Sequence, residues 1–521
     1  MFVTMAPSID EGTLLAERNI LSTTSNASNI STTSTLHVSS DVSLTLGTDS
    51  LIILDEEIID RSPGNCCGLV LNDSRATRAI PFYNILWAEL VKSDLTIHYA
   101  QRISATSVRP AYHNYAIDVQ DTAQAEQWLA VLLDRAYGAA KPRKRIKVLV
   151  NPFGGQGKAQ KLFAREIEPV LAAARCDVDV ERTAYGGHAA DIAEALNPAA
   201  WDVVACCSGD GVPHEVFNGL GRKPDAARAL RDVAVVQLPC GSGNALSLNM
   251  NGTASPSLAT LAVVKGVRTP LDLVSVTQGA DRTLSFLSQS FGMVADCDVG
   301  TEHMRWMGSA RFTVGFLTRI LGKCVYPCDI AIGVEHADKD AVRRAYWDTA
   351  RRKHLDHLPE EDEESYIESD LGLPPLRFGT VNDPLPDDWR TESHDHLGTF
   401  YCGNMAYMAP DANFFPAALP SEGLGDLITI PGNISRTAAL STLLSVENGT
   451  FFDVPHVNYR KVTGYRITPR ACEKGEDGHI SVDGEKFPFE PFQAEVHKGL
   501  GTTLSRTGRV YEASGPGDSI G

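Results

Sequence analysis

Three short glycine-bearing runs follow one another along the chain, and each is suited to holding phosphate groups. They are 151–158 (Asn-Pro-Phe-Gly-Gly-Gln-Gly-Lys), 208–211 (Ser-Gly-Asp-Gly) and 238–244 (Leu-Pro-Cys-Gly-Ser-Gly-Asn). Glycine lacks a Cβ atom, so the backbone N–H groups of such runs can approach phosphate oxygens closely. The second run also carries a carboxylate, Asp210, which could accept a proton. Together the runs predict a nucleotide-phosphate site with a candidate general base inside it.

The segments before these runs predict how the site is positioned. Each run follows an apolar stretch typical of a buried strand, and helical spacing of apolar residues follows the first two. Ligands of open α/β sheets bind at the carboxyl ends of the strands, where such loops converge. A single glycine loop would be weak evidence because similar strings arise by chance, but three in this context predict an α/β nucleotide domain. The first run is not a Walker A loop, since Pro152 and Ala159 replace its first Gly and its Ser/Thr.

With these motifs the chain resembles the sphingosine and sphingoid long-chain base kinases of the diacylglycerol kinase catalytic-domain superfamily, from about residue 146 to residue 500. The resemblance implies an ATP- and Mg²⁺-dependent lipid kinase with Asp210 as general base and no metal ligand supplied by the protein. It implies that ATP is bound by Asn151, Pro152, Phe153, Gly154, Gly155, Gly157, Lys158, Thr183, Ala184, Tyr185, Gly186, Gly187, Glu215, Gly241, Ser242, Gly243, Arg305, Arg311, Asp483, Gly484 and Glu485.

The resemblance also implies where the lipid head group is held. The implied substrate residues are Ser208, Gly209, Asp210, Gly211, Ser288, Asp298 and Glu302. A carboxylate at Asp298 would pair with the ammonium group of a sphingoid base, and an uncharged lipid would leave that carboxylate unpaired. Asp296 is the rival for this role, and counting back from Arg305 favours Asp298. The implied product is a long-chain base 1-phosphate made from sphingosine, dihydrosphingosine or phytosphingosine.

Three other functions stay open from the sequence. Ceramide kinases join a similar accessory unit to this catalytic core, but the Cys-x3-Cys-x2-Cys run expected there is missing, because no third cysteine follows Cys324 and Cys328. Diacylglycerol kinase activity is disfavoured by Asp298. A lipid- and nucleotide-binding scaffold without turnover is the alternative of another class.

The predicted fold class is α/β plus β, in several domains, because 521 residues exceed what one core usually serves. We expect a Rossmann-like nucleotide domain and an antiparallel β-sandwich, preceded by a module that resembles a pleckstrin-homology domain. The expected boundaries are a disordered N-terminus at 1–35, the accessory module at 36–140, the ATP-binding domain at 145–268 completed by a strand at about 500–508, the lipid-binding sandwich at 269–499 with a solvated acidic insertion at about 335–395, and a flexible tail at 509–521.

Composition restricts the partners. The formal net charge of -18 argues against nucleic acid, whose backbone requires a basic face. No signal peptide or membrane-spanning run is evident. The eleven cysteines have no zinc-type spacing and indicate reduced thiols. We therefore expect a cytoplasmic enzyme that associates reversibly with intracellular membranes. The basic linker 141–145 could contact anionic lipid, and Cys66-Cys67 could be S-acylated. A homodimer is left open.

Overall fold

The computed structural model describes residues 34–55, 76–155, 157–300, 315–316, 318–319, 324–355, 372–471, 478–508 and 515–517. Predictions about 1–33, about the cysteines at 66 and 67 and about most of the C-terminal tail therefore lie outside the described residues. Within the described ranges, strands form an accessory module, a parallel sheet flanked by helices, and a large antiparallel sheet.

The accessory module consists of seven strands closed by one helix. The strands are β1 (Thr35–His37), β2 (Val42–Leu46), β3 (Ser50–Asp55), β4 (Ala76–Pro81), β5 (Ile85–Val91), β6 (Asp94–Ser104) and β7 (Ser107–Ala116). Strands β1–β4 form one antiparallel sheet and β5–β7 form another. Helix α1 (Thr122–Tyr137) buries Ala125, Trp128 and Leu132, the apolar face that its sequence spacing predicted.

The module is packed onto the nucleotide domain through a shared hydrophobic core. This core joins side chains of the module, such as Leu44 and Trp128, to side chains of the next domain, such as Ile167 and Val263. The backbone N–H of Val108 also donates to Ser257 Oγ at 3.2 Å. The module is therefore fixed to the kinase core and is not a loosely tethered unit.

The basic linker makes several intramolecular contacts, and its suggested contact with anionic lipid stays a prediction. Lys144 is buried, and its Nζ donates to the carbonyls of Lys141 and Val264 at 2.9 and 2.7 Å. Lys141 and Arg145 both pair with Asp202 at 2.8 Å. Burial lowers the pKa of Lys144 to about 8. These cations attach the linker to the domain that follows.

The nucleotide domain is built on four parallel strands in the order β9-β8-β10-β11. The strands are β8 (Arg145–Val150), β9 (Asp177–Arg182), β10 (Val203–Ser208) and β11 (Ala234–Pro239). Strands β10 and β11 are buried along their whole length, as the continuous apolar runs of a parallel sheet require. The helices are α2 (Ala159–Leu162), α3 (Glu168–Ala173), α4 (His188–Ala195), α5 (Gly211–Gly221), α6 (Ala226–Asp232), α7 (Ala245–Asn251) and α8 (Pro256–Lys265).

The following strands belong to one branching antiparallel sheet of eleven strands, instead of the two separate sheets expected of a sandwich. They are β12 (Val267–Gln278), β13 (Asp281–Ser285), β14 (Ser288–Gly292), β15 (Cys328–His336), β16 (Arg390–His394), β17 (Leu397–Gly403), β20 (Gly425–Pro431), β21 (Asn458–Pro469), β22 (Ile480–Val482), β23 (Glu485–Phe487) and β24 (Phe492–Ser505). A small hairpin pairs β18 (Tyr407–Ala409) with β19 (Ala412–Asn413). The associated helices are α9 (Met293–Asp298), α10 (Lys339–Leu355) and α11 (Arg436–Glu447).

The late strand near Thr502 does not complete the parallel sheet, so this part of the predicted domain division was wrong. Strand β24 pairs antiparallel with β12, where Thr502 faces Pro270. Its end still contacts the nucleotide domain, because Thr502 Oγ1 donates to the carbonyl of Arg231 at 2.7 Å. The alternation of side chains along a strand indicates which face is buried, but it does not specify which strand lies beside it.

The expected solvated insertion is more ordered at its flanks than its charge suggested. Helix α10 buries Val342 and Tyr346. On the far side, the backbone N–H groups of Arg377 and Phe378 donate to Glu495 at 2.9 and 2.8 Å. The acidic run 360–364 lies outside the described residues.

Candidate active site

The three glycine loops meet at the carboxyl ends of the parallel strands. A methyl group added at Gly155 would lie 3.1 Å from the Cα of Gly241, and one added at Gly209 would lie 2.9 Å from the carbonyl oxygen of Gly243. At Gly241 the methyl would lie only 2.2 Å from the Cα of Gly209. The loops approach each other backbone to backbone, which explains why glycine is required at these positions.

Asparagine side chains fix the shapes of two of these loops. Asn151 Oδ1 accepts from the backbone N–H groups of Phe153 and Gly154 at 3.0 Å each. Asn244 Oδ1 accepts from Gly241 N at 3.1 Å, while its Nδ2 donates to the Gly241 carbonyl at 3.0 Å. Gly155 and Gly157 adopt positive φ values of 58° and 68°. Successive N–H groups in such turns can form an anion-binding concavity.

Asp210 lies between the second and third loops and accepts three hydrogen bonds. Its Oδ1 accepts from Gln237 Nε2 at 3.1 Å and from Leu246 N at 3.2 Å. Its Oδ2 accepts from Ala245 N at 3.0 Å. Burial raises the pKa of Asp210 to about 6, against the lowering effect of these hydrogen bonds. A carboxylate of this pKa is ionised at neutral pH and basic enough to accept a proton from a reacting hydroxyl.

A turn between β22 and β23 brings the antiparallel sheet to this site. Gly211, at the start of α5, faces the turn, since a methyl group there would lie 3.2 Å from Glu485 Oε1. A methyl group at Gly484 would lie 3.7 Å from Asp298 Oδ2. The turn therefore lies between the loop that carries Asp210 and the helix that carries Asp298.

The side chain of Asp483, a predicted nucleotide contact, is engaged in hydrogen bonds within the protein. Its buried carboxylate accepts from the backbone N–H groups of residues 286–288 at 2.9–3.0 Å and from Ser285 Oγ at 2.5 Å. It also bonds His214 Nδ1 at 2.8 Å. Burial alone would lower the pKa of His214, but the hydrogen bond to Asp483 raises it overall. The pair connects α5 of the nucleotide domain to the antiparallel sheet.

The two candidate head-group carboxylates differ in their surroundings. Asp296 accepts from His479 Nδ1 at 2.8 Å, from His479 N at 3.0 Å and from Tyr326 Oη at 2.6 Å. Burial alone would raise the pKa of Asp296, but these hydrogen bonds hold it below its usual value. Asp298 is half-buried, accepts from Ser481 Oγ at 3.0 Å and lies beside the turn at Gly484. This placement favours Asp298 over Asp296 for the head group.

The segment 183–187 follows β9 and leads into α4 at the same edge of the sheet. Tyr185 is exposed and stacks on His188 with ring centroids 4.6 Å apart, while its hydroxyl donates to Asp191 at 2.8 Å. Glu215, predicted to contact ATP, accepts from Ala189 N in the first turn of α4 at 3.0 Å. Its carboxylate thus holds α4 against α5.

Comparisons with known proteins show which family the chain belongs to. Residues 145–276 match the family model described as the diacylglycerol kinase catalytic domain, and residues 34–138 match one described as a domain of unknown function (DUF7493). The chain is 34% identical over 440 residues to sphingoid long chain base kinase 4 of Schizosaccharomyces pombe, covering 84% of this chain and 90% of that protein. This chain belongs to the family of sphingoid long-chain base kinases. It is therefore a lipid kinase of an ATP-using family.

The chain is also similar to other proteins. Sphingoid long chain base kinase 5 of Saccharomyces cerevisiae is 36% identical over 429 residues, which cover 73% of this chain but only 62% of that protein. Human sphingosine kinase 1 is 27% identical, over 68% of this chain and 88% of its own length. A solved structure described as a putative diacylglycerol kinase from Bacillus anthracis superposes with a TM-score of 0.49 at 16% identity, covering 71% of this chain and 99% of its own.

An apolar cavity of the kinase lies against the start of α9, the helix that carries Asp298. It lies between α9, β17, β20 and α11. Met293 and Phe316 contribute to its lining, whereas Phe291 is packed in the sheet core. Tyr401 also lines the cavity and hydrogen-bonds Ser288, one of the predicted substrate residues. Tyr401 therefore links the cavity to the region of the predicted head-group site.

Some predicted residues cannot be placed. Arg305, Arg311 and Glu302 lie outside the described residues, so their predicted roles stay predictions. Three further residues, which were not predicted, contact the predicted carboxylates: Gln237 contacts Asp210, His214 contacts Asp483 and Ser481 contacts Asp298. Gln237 was detectable as a polar residue inside an otherwise apolar strand. No comparable sequence signal distinguished His214 or Ser481.

Proposed function

We propose that this kinase transfers the γ-phosphate of ATP to the primary hydroxyl of a sphingoid long-chain base, with Asp210 as the general base. The hydroxyl oxygen forms the new bond to phosphorus as its proton passes to an Asp210 oxygen. The bond from phosphorus to the β–γ bridging oxygen breaks, and ADP leaves. The products are ADP and the base 1-phosphate.

The observation that carries this proposal is the position of Asp210 between the glycine loops and the turn at 483–485. Three hydrogen bonds hold its carboxylate in place, and its pKa of about 6 keeps it ionised at neutral pH. Phosphoryl transfer depends mainly on positioning and on charge stabilisation, so a rigidly held base fits the reaction. Asp298 lies on the other side of the same turn, where it would meet the head group.

The loops after β8, β10 and β11 would hold the ATP phosphates through backbone N–H groups, with Lys158 at the end of the first loop. Magnesium bound to ATP would spread the negative charge that develops on the transferred group. The chain's own part is to hold the phosphates, orient the acceptor hydroxyl and take its proton. The exposed ring of Tyr185 offers a stacking surface at this edge of the sheet.

The role of Asp298 is tested by substrate selectivity. An Asp298→Asn variant removes the negative charge but keeps the size of the side chain, so the ammonium of a sphingoid base loses its partner. We expect kcat/KM for sphinganine to fall about 10- to 100-fold, since hydrogen bonds to charged groups contribute about 1.5–3 kcal/mol. The measurement is transfer of labelled γ-phosphate to sphinganine, ceramide and diacylglycerol in mixed micelles.

The matched control for this experiment is Asp296→Asn. Because Asp296 bonds His479 and Tyr326, its replacement should lower stability more than it changes selectivity. An Asp298→Asn enzyme with unchanged preference for sphinganine would contradict the head-group role. Wild-type enzyme that prefers ceramide or diacylglycerol would reject the proposed substrate class, and no turnover at all would favour a binding scaffold.

A membrane surface is the proposed source of the lipid, and helix α11 is the part of the described chain best suited to meet it. No helix in the described ranges is long and apolar enough to span a bilayer. The inner face of α11 lines the apolar cavity through Ala439, Leu443 and Val446. Its outer face exposes Leu440 and Leu444, at 41% and 49%. One turn separates these leucines, so both could enter the same lipid surface.

We expect the double change Leu440→Ser and Leu444→Ser to reduce binding to lipid vesicles about tenfold, because each leucine would lose part of its burial energy. Sedimentation with vesicles of phosphatidylcholine and phosphatidylserine measures this. Leu385→Ser is the control, since Leu385 is an exposed leucine that does not line the cavity. Equal sedimentation of the double variant and the control would contradict α11 as the membrane contact.

A further inference from the structure

Gln237 is a buried amide in a strand that is otherwise apolar. It lies in β11 between Val236 and Leu238 and is 1% exposed. A buried side-chain amide is costly unless both its oxygen and its nitrogen have hydrogen-bond partners. The contacts of Gln237 therefore indicate why an amide is present at this position.

The partners of Gln237 determine how its amide is oriented. Its Oε1 accepts from the backbone N–H of Ser247 in α7 at 2.9 Å. A backbone N–H can only donate, so the oxygen must face Ser247 and the NH₂ group must face the other way. On that side Nε2 donates to Asp210 Oδ1 at 3.1 Å. The backbone of α7 thus makes Gln237 a donor toward Asp210.

We propose that Gln237 is a positioning residue for the catalytic base, holding Asp210 ionised and oriented toward the acceptor hydroxyl. This inference rests on the proposed role of Asp210. The other two donors to Asp210 are the backbone N–H groups of Ala245 and Leu246. Of these three donors, Gln237 is therefore the one that a side-chain substitution can remove.

The groups around Asp210 also restrict the rotation of its side chain. A methyl group at Gly243 would lie 3.0 Å from Asp210 Oδ2, so the third loop passes close to that oxygen. Helix α7 donates to both oxygens, from Ala245 N to Oδ2 and from Leu246 N to Oδ1, and Gln237 also donates to Oδ1, which leaves little freedom of rotation about the carboxylate. The hydrogen bond from Gln237 also lowers the pKa of Asp210, against the rise that burial causes. Loss of the amide should both loosen the base and raise its pKa.

The test is the pH dependence of kcat/KM for sphinganine in Gln237→Met. Methionine has a similar length but cannot donate a hydrogen bond to the carboxylate. We expect kcat to fall about tenfold or more. We also expect the acidic limb of the profile, where kcat/KM falls as the pH is lowered, to move upward by about one pH unit, because a hydrogen bond to a charged group has this strength. KM for ATP should change much less than kcat. Gln237→Glu, which is nearly isosteric, should move the limb upward as well, since it puts a second carboxylate beside Asp210.

Val235→Ala is the matched control, because Val235 is buried on the same face of the same strand and forms no hydrogen bond to Asp210. It should lower the melting temperature without moving the acidic limb. The inference is overturned if both Gln237 variants keep the wild-type pH dependence of kcat/KM and lose activity only in proportion to their loss of stability. Failure of the proposed function is separate, since it would appear as retained activity in Asp210→Asn.

Discussion

Asp210→Asn should lower kcat for sphinganine phosphorylation by about 100- to 10,000-fold, the usual contribution of a positioned general base. The amide cannot take the proton of the acceptor hydroxyl. ATP binding should persist, because the glycine loops do not depend on the charge of this side chain. Labelled phosphate transfer measures the first effect, and equilibrium binding of ATP measures the second.

The wild-type pH profile provides an independent check on Asp210. Its pKa is raised to about 6, so protonation should remove the base progressively as the pH falls through that value. We expect kcat/KM to decline about tenfold per pH unit below about pH 6 and to be flat just above it. A profile with no acidic limb between pH 5 and 7, or an Asp210→Asn enzyme with near-normal turnover, would contradict the assignment.

Gly241→Ala is the second change for which we expect a large effect. The new methyl group would lie 2.2 Å from the Cα and 2.3 Å from the N of Gly209, and both contacts are with backbone. Neither loop can avoid the overlap by a side-chain rotation, so the second and third loops must separate. A displacement of about 1 Å at a reacting site can cost about 100-fold in rate. We expect at least that loss in kcat/KM.

Stability should fall with activity in the same variant, by about 1–3 kcal/mol, as is usual for overpacking. Thermal unfolding measures this, and the affinity for ATP should weaken in parallel. Gly517→Ala is the control, because a methyl group there would meet nothing within 4 Å. Wild-type ATP affinity in Gly241→Ala would show that the two loops do not form the phosphate site.

The local features of the nucleotide site followed from the sequence. The apolar runs before residues 151, 208 and 238 form strands that end at these loops, because continuous apolar sequence is required of strands buried on both faces. The glycines mark the loops because backbone approaches there exclude a Cβ atom. Helix α1 was predictable from its single apolar face. Each of these signals is contained within a short window of residues.

Contacts between distant segments were decided by the tertiary structure. Asp483 lies 269 residues from His214, and only the folded chain shows that its carboxylate joins two domains. The tertiary structure also decided three other contacts. Strand β24 pairs with β12, His479 and Tyr326 enclose Asp296, and the amide of Gln237 faces Asp210.

The sequence thus determined which loops and which carboxylate are the candidates for the chemistry of this kinase. The tertiary structure determined which polar groups hold that carboxylate, and which acidic residues are already engaged elsewhere. The physical reason is that backbone conformation and apolar periodicity depend on near neighbours in the chain. Hydrogen-bond partners and strand register depend instead on how separate elements pack, and no spacing in the sequence encodes that packing.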